Sequence, residues 1–400
     1  AQAILAQADS GVTAPVISRS AIGAGAGPNT AMRCFGAWLL VFALARVISS
    51  SNGGSVGAGL RELGAVGSAF GAGLQRSGFE TEAGIASADE AREAVRDHQW
   101  PDLFPMPPEV FGFRSHQVSV RPGVHLAVVD RPGTDANEAP LVFVHGFGDS
   151  WRSFQRLFPL MGQRRRIIAF DLAGFGNSSK PNLTLYDQSL AVADLHGVLE
   201  RLEVGAVGCL VGHSSGSLVA WHFAGQWPDR VERLALISTT KRAISNQLRP
   251  MAQVMLNLID ALPGHITRGF AEQVVVEPFF NGKTAGQWFV DTALHWTMQS
   301  EPRVWTASIL GALADSDRSY PDIFLPRVTA RTLIIHGAGD KVFSLQDAEQ
   351  VRRLLRTRSS IVRLAGEGHS PHWSTHGAAR VAGLLGDLVE EPASTQGLLV

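Results

Sequence analysis

The sequence predicts a doubly wound α/β fold, in which a mostly parallel β-sheet carries helices on both faces. Two observations support this prediction. Short apolar segments without polar alternation recur after residue 110, as strands buried on both faces require. Helical patterns separate these segments, and strand–helix alternation is typical of a parallel sheet. Ligands of such sheets bind at the carboxyl ends of the strands, so functional residues are expected at those positions.

The predicted sheet begins with a hairpin. Two alternating segments, His116–Val120 and His125–Asp130, flank the turn at residues 121–123 and predict antiparallel strands. Six apolar strands rich in β-branched and aliphatic residues follow. They are Pro140–Val144, Arg166–Phe170, Gly208–Val211, Arg233–Ile237, Arg331–Ile335 and Ile361–Leu364.

Five segments with helical spacing lie between or after these strands. They are Ser150–Met161, Tyr186–Leu202, Ser217–Gln226, Leu345–Leu355 and His376–Leu388. The alternation fails once, because residues 240–326 form a long helical and aromatic insertion between two late strands. We expect this insertion to be a helical cap over the sheet edge, with the core formed by residues 101–239 and 327–392.

Composition excludes several functional classes. The 400 residues include 35 Lys and Arg against 36 Asp and Glu, giving a formal net charge of −1. This balance lacks the excess of positive charge that is typical of nucleic-acid-binding proteins. The 2 cysteines cannot build a disulfide framework. A globular protein of enzyme size remains.

Residues 1–100 are predicted to form a low-complexity N-terminal extension, in which residues 1–79 are poor in charge and charged residues return at Glu80–Arg96. Its apolar segment, Cys34–Ala45, is shorter than the roughly 20 residues of a membrane span. The segment suits the core of a signal peptide, an interfacial helix or a buried helix, and an organellar transit peptide is a further alternative. Membrane association through residues 34–48 and the cellular compartment therefore stay open. Residues 393–400 are predicted to be a tail.

The first functional motif is GHSSG at residues 212–216, which follows a predicted strand and opens a predicted helix. Glycines on both sides of Ser214 permit a tight strand-to-helix turn that raises its hydroxyl above the sheet. The backbone N–H of Ser215 then lies at a helix start, where it can stabilise developing negative charge. We predict that Ser214 is a nucleophile; Ser215 is the weaker candidate because it lies off the apex.

The second motif is HGFGD at residues 145–149, directly after a predicted strand. A glycine-rich turn at this position can point the backbone N–H of Phe147 at the site, as the second donor of an oxyanion hole. The alternative is an ordinary strand-ending turn. Five residues are expected to contribute to substrate binding, although His213 is also a candidate for packing beside the nucleophile. They are His145, Gly146, His213, Trp288 and Trp296.

Two further motifs follow predicted strands and contain Asp340 and His369. A histidine in a glycine-rich loop can serve as a general base, and a carboxylate can orient its ring. The chain order Ser214, Asp340, His369 is the order expected for this type of turn. His372 is the competing base. A metal site formed by these histidines and His376 is disfavoured, because neither an HExxH motif nor a cysteine partner accompanies them, so we expect neither a metal nor a cofactor.

With these motifs in place, residues from about 110 to 392 resemble the α/β-hydrolase superfamily in its capped, esterase-like branch. The sequence DLAGFGNSS at residues 171–179 is similar to the family's DxxGxGxS loop. The resemblance implies a helical cap inserted between late strands and a catalytic triad of Ser214, Asp340 and His369. It also implies that Phe147 and Ser215 provide the backbone donors of the oxyanion hole.

A serine at the turn favours acyl transfer, since relatives that open epoxides are expected to have a carboxylate there. We therefore expect a serine hydrolase that cleaves a carboxylic ester of a hydrophobic, small to medium substrate through an acyl-enzyme. Hydrolysis of a carbon–carbon bond in a ring-cleavage product and cofactor-free perhydrolysis are alternatives on the same triad. A non-catalytic binding protein of this fold is a third alternative, which predicts a damaged triad. The oligomeric state stays open.

Overall fold

The computed structural model describes residues 107–244, 249, 252, 256 and 300–390. These residues belong to the unit Gly84–Val400. The predicted extension 1–100 with its apolar segment at 34–48, most of the predicted cap and the tail 393–400 lie outside the described residues.

The sheet has eight described strands in the order β1-β2-β4-β3-β5-β6-β7-β8. The hairpin pair β1 and β2 is antiparallel, β2 also pairs antiparallel with β4, and all other neighbours are parallel. The predicted doubly wound, mostly parallel sheet is confirmed. The strands are β1 Arg114–Arg121, β2 Val124–Arg131, β3 Leu141–Val144, β4 Ile167–Phe170, β5 Cys209–His213, β6 Arg233–Ile237, β7 Arg331–Gly337 and β8 Ser359–Leu364.

Side-chain oxygens at the N-termini fix where two of the helices begin. The Asp187 carboxylate accepts the Leu190 N–H at 2.9 Å, and Ser344 and Asp347 form a reciprocal capping box. The described α-helices are α1 Gln188–Arg201, α2 Ser215–Gln226, α3 Pro302–Ser316, α4 Tyr320–Phe324, α5 Leu345–Leu354 and α6 Thr375–Glu390. Short 3₁₀ helices are Pro108–Phe111, Trp151–Phe154, Phe158–Leu160, Pro228–Arg230, Leu325–Arg327 and Pro371–Trp373.

The predicted helix Ser150–Met161 is wrong, since two 3₁₀ helices occupy this segment. Most of its backbone hydrogen bonds span three residues, as in Leu157 N–H to Phe154 O at 2.8 Å. The apolar side chains of Trp151, Phe154 and Leu157 recur every third residue, and this spacing keeps them on one face of a 3₁₀ turn. All three are buried in the same core cluster, so tertiary packing selects the tighter turn.

Two hydrophobic cores cover the two faces of the sheet. The alternating side chains of β3 show this division, because Val142 and Val144 belong to one core and Leu141 and Phe143 to the other. Helices α1 and α2 cover the first face, and α6 covers the second. The carboxyl ends of the parallel strands are thereby held at one edge, where the candidate site lies.

The insertion between β6 and β7 is helical where it is described, with α3 and α4. Helix α4 packs on α2, since the ring centroids of His222 and Phe324 lie 4.0 Å apart. A side chain at Gly225 of α2 would collide with the Phe324 carbonyl oxygen. The last part of the predicted cap therefore lies against a core helix. Within the described ranges, no helix has the length and apolar character needed to cross a membrane.

Candidate active site

Ser214 occupies a sharp turn between β5 and α2. Its φ of 51° and ψ of −123° lie in a region that residues with a side chain seldom adopt. A Cβ at Gly212 would lie 2.5 Å from the Gly216 oxygen, and one at Gly216 would collide with the carbonyl oxygens of Val144 and His145 at the end of β3. Both glycines of the GHSSG motif are therefore required because a side chain at either position would collide with the backbone. They permit the helix to start directly beside the neighbouring strand, which fixes the position of the serine.

The structure brings Ser214, His369 and Asp340 into one hydrogen-bonded chain. The Nε2 atom of His369 lies 2.8 Å from the Ser214 hydroxyl oxygen. The Nδ1 atom lies 3.0 and 2.9 Å from the two carboxylate oxygens of Asp340. Because a carboxylate accepts the proton on Nδ1, Nε2 is the nitrogen free to accept the serine proton. Ser214 is 4% exposed and His369 is 0% exposed, so water screens these contacts little.

Asp340 is held as a carboxylate acceptor. One of its oxygens also accepts the backbone N–H groups of Val342 at 2.8 Å and Phe343 at 2.9 Å. Burial opposes ionisation, but the neighbouring His369 and these hydrogen bonds outweigh it, so the pKa of Asp340 lies below its ordinary value. The charge and the fixed orientation suit it to hold the imidazole of His369.

The turn after β3 runs against the serine. A Cβ at Gly146 would lie 3.1 Å from the Cβ of Ser214, so the backbone next to Phe147 lies beside the nucleophile. The Phe147 ring packs on Trp305 of α3, with ring centroids 4.8 Å apart. Ser215 is the first residue of α2, where the N–H groups have no partner in the helix. Both expected sources of oxyanion donors therefore flank Ser214.

Comparison with known proteins identifies the family. The model of the alpha/beta hydrolase fold family matches residues 139–375. The chain belongs to the α/β-hydrolase fold family. By family, it is a hydrolase.

Individual relatives of this α/β hydrolase differ in activity. The 2-hydroxy-6-oxo-2,4-heptadienoate hydrolase of Pseudomonas putida is 29% identical over 248 residues, which cover 58% of this chain and 82% of that protein. A bromoperoxidase from Bacillus anthracis has a TM-score of 0.59 at 21% identity, covering 68% of this chain and 98% of its own. A thermophilic esterase from Thermogutta terrifontis has a TM-score of 0.58 at 23% identity, covering 70% and 99%. The two structures share the fold with this hydrolase.

His145 is placed in a supporting position. Its Nδ1–H donates to the Gly146 carbonyl at 2.7 Å, and its Nε2 accepts the Leu172 N–H at 2.8 Å. Burial lowers its pKa to about 4, so the ring is neutral. Both ring nitrogens are engaged within the protein, and they join the turn after β3 to the loop after β4. The expected contact between His145 and substrate stays a prediction.

His213 is also buried in a supporting position beside the nucleophile. Its Nε2–H donates to the carbonyl oxygen of His369 at 3.1 Å. Burial lowers its pKa to about 3, which keeps the ring neutral next to the His369 ring. This backbone contact holds the loop of His369. The expected contact between His213 and substrate and the packing alternative both stay predictions.

The remaining candidates take separate places. The Nε2 atom of His372 lies 3.0 Å from the Ser153 hydroxyl, and its ring stacks on Phe154 and packs edge-on against His213. The serine hydroxyl is bonded to His369 and not to His372. His376 is exposed on α6. Among the described residues, no group of three or more His, Cys, Asp or Glu side chains is placed to hold a metal ion. Gly146 is in the turn beside Ser214. Two of the expected substrate-binding residues, Trp288 and Trp296, lie outside the described residues.

A pair of buried carboxylates under the site was missed by sequence reasoning. Asp171 accepts the Trp151 N–H at 2.8 Å and the Asn177 N–H at 2.9 Å. Asp149 accepts the Ser150 N–H at 2.8 Å. Burial raises the pKa of Asp149 to about 7 and that of Asp171 to about 6. The signal available in the sequence was one aspartate in each of two turns that follow adjacent strands.

Proposed function

We propose that this protein is a serine hydrolase that cleaves carboxylic esters of hydrophobic, small to medium substrates through an acyl-enzyme. The proposal rests on one observation, the continuous hydrogen-bonded chain from Ser214 through His369 to Asp340. This arrangement activates a hydroxyl that is otherwise a weak nucleophile at neutral pH. An undamaged chain of this kind also argues against a non-catalytic binding protein.

Acylation follows from the positions of these groups. The Ser214 oxygen attacks the ester carbonyl carbon while Nε2 of His369 takes the hydroxyl proton. Asp340 stabilises the imidazolium through the proton on Nδ1. The backbone N–H groups of Phe147 and Ser215 hold the negative oxygen of the tetrahedral intermediate. His369 then gives its proton to the leaving alcohol, and the acyl group stays on Ser214 as an ester.

Deacylation repeats these steps with water. His369 removes a proton from a water molecule, whose oxygen attacks the acyl carbonyl, and the same backbone groups hold the second oxyanion. The intermediate collapses when the Ser214 oxygen leaves and recovers its proton from His369. The carboxylic acid is released and the hydrogen-bonded chain is restored. The protons balance without any cofactor.

The surroundings support an apolar ester as the substrate. The cavity next to Ser215 has a largely apolar wall that includes Phe147, Leu172 and Phe175. Apolar walls favour hydrophobic groups because water is released from both surfaces. The serine at the turn also supports acyl transfer over reactions that need a carboxylate nucleophile.

Carbon–carbon bond hydrolysis is the second candidate, favoured by the similarity to the 2-hydroxy-6-oxo-2,4-heptadienoate hydrolase. That reaction releases a carbon leaving group and uses substrates that carry a carboxylate. Next to the described cavity, the guanidinium groups of Arg121 and Arg318 are already paired with aspartates. This pairing supports the neutral ester over the carboxylate substrate.

The test compares p-nitrophenyl butyrate with 2-hydroxy-6-oxo-2,4-heptadienoate as substrates of the purified full chain. We expect the ester to have the higher kcat/KM, and Ser214→Ala to lower its turnover by a factor on the order of 10⁶. Ser360→Ala, an exposed serine of β8, is the matched control and should keep the wild-type rate. A higher kcat/KM for the diketo acid, or more than a tenth of the esterase activity in Ser214→Ala, would contradict the proposal.

A further inference from the structure

A cavity of about 90 Å³ lies beside the serine turn, between α1, α2 and α3. Its wall includes Phe147 and Ser215, the two residues whose backbone N–H groups are proposed to hold the ester oxygen. A group that enters this cavity is therefore attached close to the ester carbonyl. This position suits the acyl part of the substrate.

One face of α3 contributes polar groups to the cavity. Ser308, Ala312 and Asp315 line it, and their spacing of four and three residues places them on the same side of the helix. Trp305 precedes Ser308 by three residues and packs on Phe147. Ser308 thus lies toward the end of the cavity that is nearest the ester carbonyl. Asp315 lies about 10 Å further along the helix axis, at the far end.

The hydroxyl of Ser308 has no hydrogen-bond partner among the described residues. Ser308 is only 4% exposed and lines the cavity, so a partner for its hydroxyl has to enter through the cavity. A buried hydroxyl without a partner is unfavourable, and such groups call for an explanation in a native protein. A polar atom of a bound substrate would satisfy it, since a hydroxyl both donates and accepts.

The far end of the cavity is negatively charged. Asp187, Asp194 and Asp315 are in its wall. They face two guanidinium groups, with Arg121 bound to Asp194 and Arg318 bound to the other two carboxylates. Three carboxylates against two guanidiniums leave one negative charge in excess. A substrate group bearing a further carboxylate would be repelled here.

Asp315 provides this negative charge directly at the cavity. One of its oxygens accepts the Gln188 N–H at 2.6 Å, and the other faces Arg318 at 3.2 Å. Burial raises its pKa to about 6, so it is ionised at neutral pH and above. The carboxylate is thus fixed in place and can oppose a negative acyl end.

The size limits what can bind. An apolar protein cavity of about 150 Å³ holds one benzene molecule. A cavity of about 90 Å³ is smaller and suits a chain of a few atoms rather than a ring. The occupant is therefore short, with a polar atom near its carbonyl and a neutral far end.

We propose that this cavity is an acyl pocket that selects short acyl chains with a neutral hydroxyl near the carbonyl, such as 3-hydroxybutyryl esters. Ser308 is the residue that recognises the hydroxyl, and Asp315 is the residue that excludes acyl chains ending in a carboxylate. The inference rests on the proposed function, because it takes Ser214 as the nucleophile.

The test measures kcat/KM for phenyl butyrate, phenyl 3-hydroxybutyrate and the monophenyl ester of succinate with the full chain. We expect the wild type to prefer 3-hydroxybutyrate over butyrate about tenfold, the size of one well-formed hydrogen bond. Ser308→Ala should bring this ratio close to one, and Asp315→Asn should raise the relative rate on the succinate ester about tenfold. Ser360→Ala is the control that should preserve every ratio, and thermal unfolding checks that each variant is folded.

The outcomes separate the two proposals. A folded wild type that hydrolyses none of the three esters overturns the proposed function and with it the pocket. A wild type that hydrolyses them at ratios unaffected by Ser308→Ala overturns the hydroxyl pocket and leaves the esterase intact. A relative rate on the succinate ester that Asp315→Asn does not raise overturns the exclusion of carboxylates by Asp315.

Discussion

The Nε2 atom of His369 lies 2.8 Å from the Ser214 hydroxyl oxygen, although 155 residues separate the two along the chain. Ser214 follows β5 and His369 follows β8, and the parallel sheet brings the carboxyl ends of both strands to one edge. His213, adjacent to the serine, donates to the carbonyl of His369 and ties the two loops together. The contact is therefore maintained by backbone and side chain alike.

Asp340→Asn should lower kcat for p-nitrophenyl butyrate by a factor of about 10⁴, with a small change in KM. An amide can still accept the backbone bonds of Val342 and Phe343, but it cannot stabilise the imidazolium by charge. Steady-state kinetics at pH 8 test this prediction. Asp387→Asn, an exposed aspartate of α6, is the matched control. A kcat within tenfold of the wild type in Asp340→Asn would show that this carboxylate does not assist His369.

The two neighbouring histidines should behave differently. His369→Asn should lose turnover by a factor on the order of 10⁶, because Nε2 of His369 is the atom hydrogen-bonded to the serine hydroxyl. His372→Asn should stay within about tenfold of the wild type, since its ring contacts Ser153 and Phe154. The measurement is kcat/KM of both variants on the same ester. The reverse order of effects would make His372 the base.

Gly216→Ala should destabilise the fold by about 2–3 kcal/mol, because its methyl group would collide with the carbonyl oxygens of Val144 and His145. Gly383→Ala is the control, because Gly383 is exposed in α6 and an added Cβ meets nothing within 4 Å. There we expect a gain of about 0.5–1 kcal/mol from the higher helix propensity of alanine. Urea unfolding measures both values. Equal stability of the two variants would contradict the claim that a methyl group at residue 216 collides with the backbone of β3.

Asp149→Asn should change how stability depends on pH. Burial raises the folded-state pKa of Asp149 to about 7, above its value of 3.8 as a free side chain. The folded protein then binds the proton more tightly, so this group's contribution to stability is present below pH 4 and is lost as the pH rises through 7. The asparagine variant should therefore gain stability relative to the wild type at pH 8 and show no such gain near pH 4.

Urea unfolding of both proteins at these two pH values provides the test. Asp387→Asn controls for the loss of an exposed carboxylate. A difference between wild type and Asp149→Asn that stays constant from pH 4 to pH 8 would show that Asp149 does not titrate with folding.

The elements with strong local signals could be predicted from the sequence. Continuous apolar segments such as the one at β3 indicate strands buried on both faces. The GHSSG motif between a strand and a helix predicted where Ser214 lies. The order of Asp340 and His369 after later strands predicted their place at the same edge, because parallel strands end together.

Other features depend on contacts between distant residues and could not be predicted. The segment at residues 150–161 has helical spacing, but packing of Trp151 and Phe154 selects 3₁₀ turns. The supporting position of His145 depends on the Leu172 N–H, which lies in a different loop. A sequence motif predicts which turn contains His145, but it does not predict which partners the ring nitrogens of His145 will bind.

The polar wall of the proposed acyl pocket is a further example. Ser308 and Asp315 lie in a segment whose composition predicts helices, and nothing in the segment itself marks them as functional. Their relation to the site appears only when α3 packs beside α1 and α2. The residues proposed to set specificity are therefore recognised from tertiary packing, whereas the nucleophile is recognised from a local sequence motif.

The most direct test of Ser214 as the nucleophile is covalent labelling of the folded protein with a fluorophosphonate, followed by intact mass and peptide mass spectrometry. We predict one adduct per chain, located on Ser214, and none in Ser214→Ala. His369→Asn should label far more slowly, because the hydroxyl is no longer activated. An adduct on Ser215 or elsewhere, or no adduct in protein shown to be folded, would contradict the assignment of Ser214 as the nucleophile.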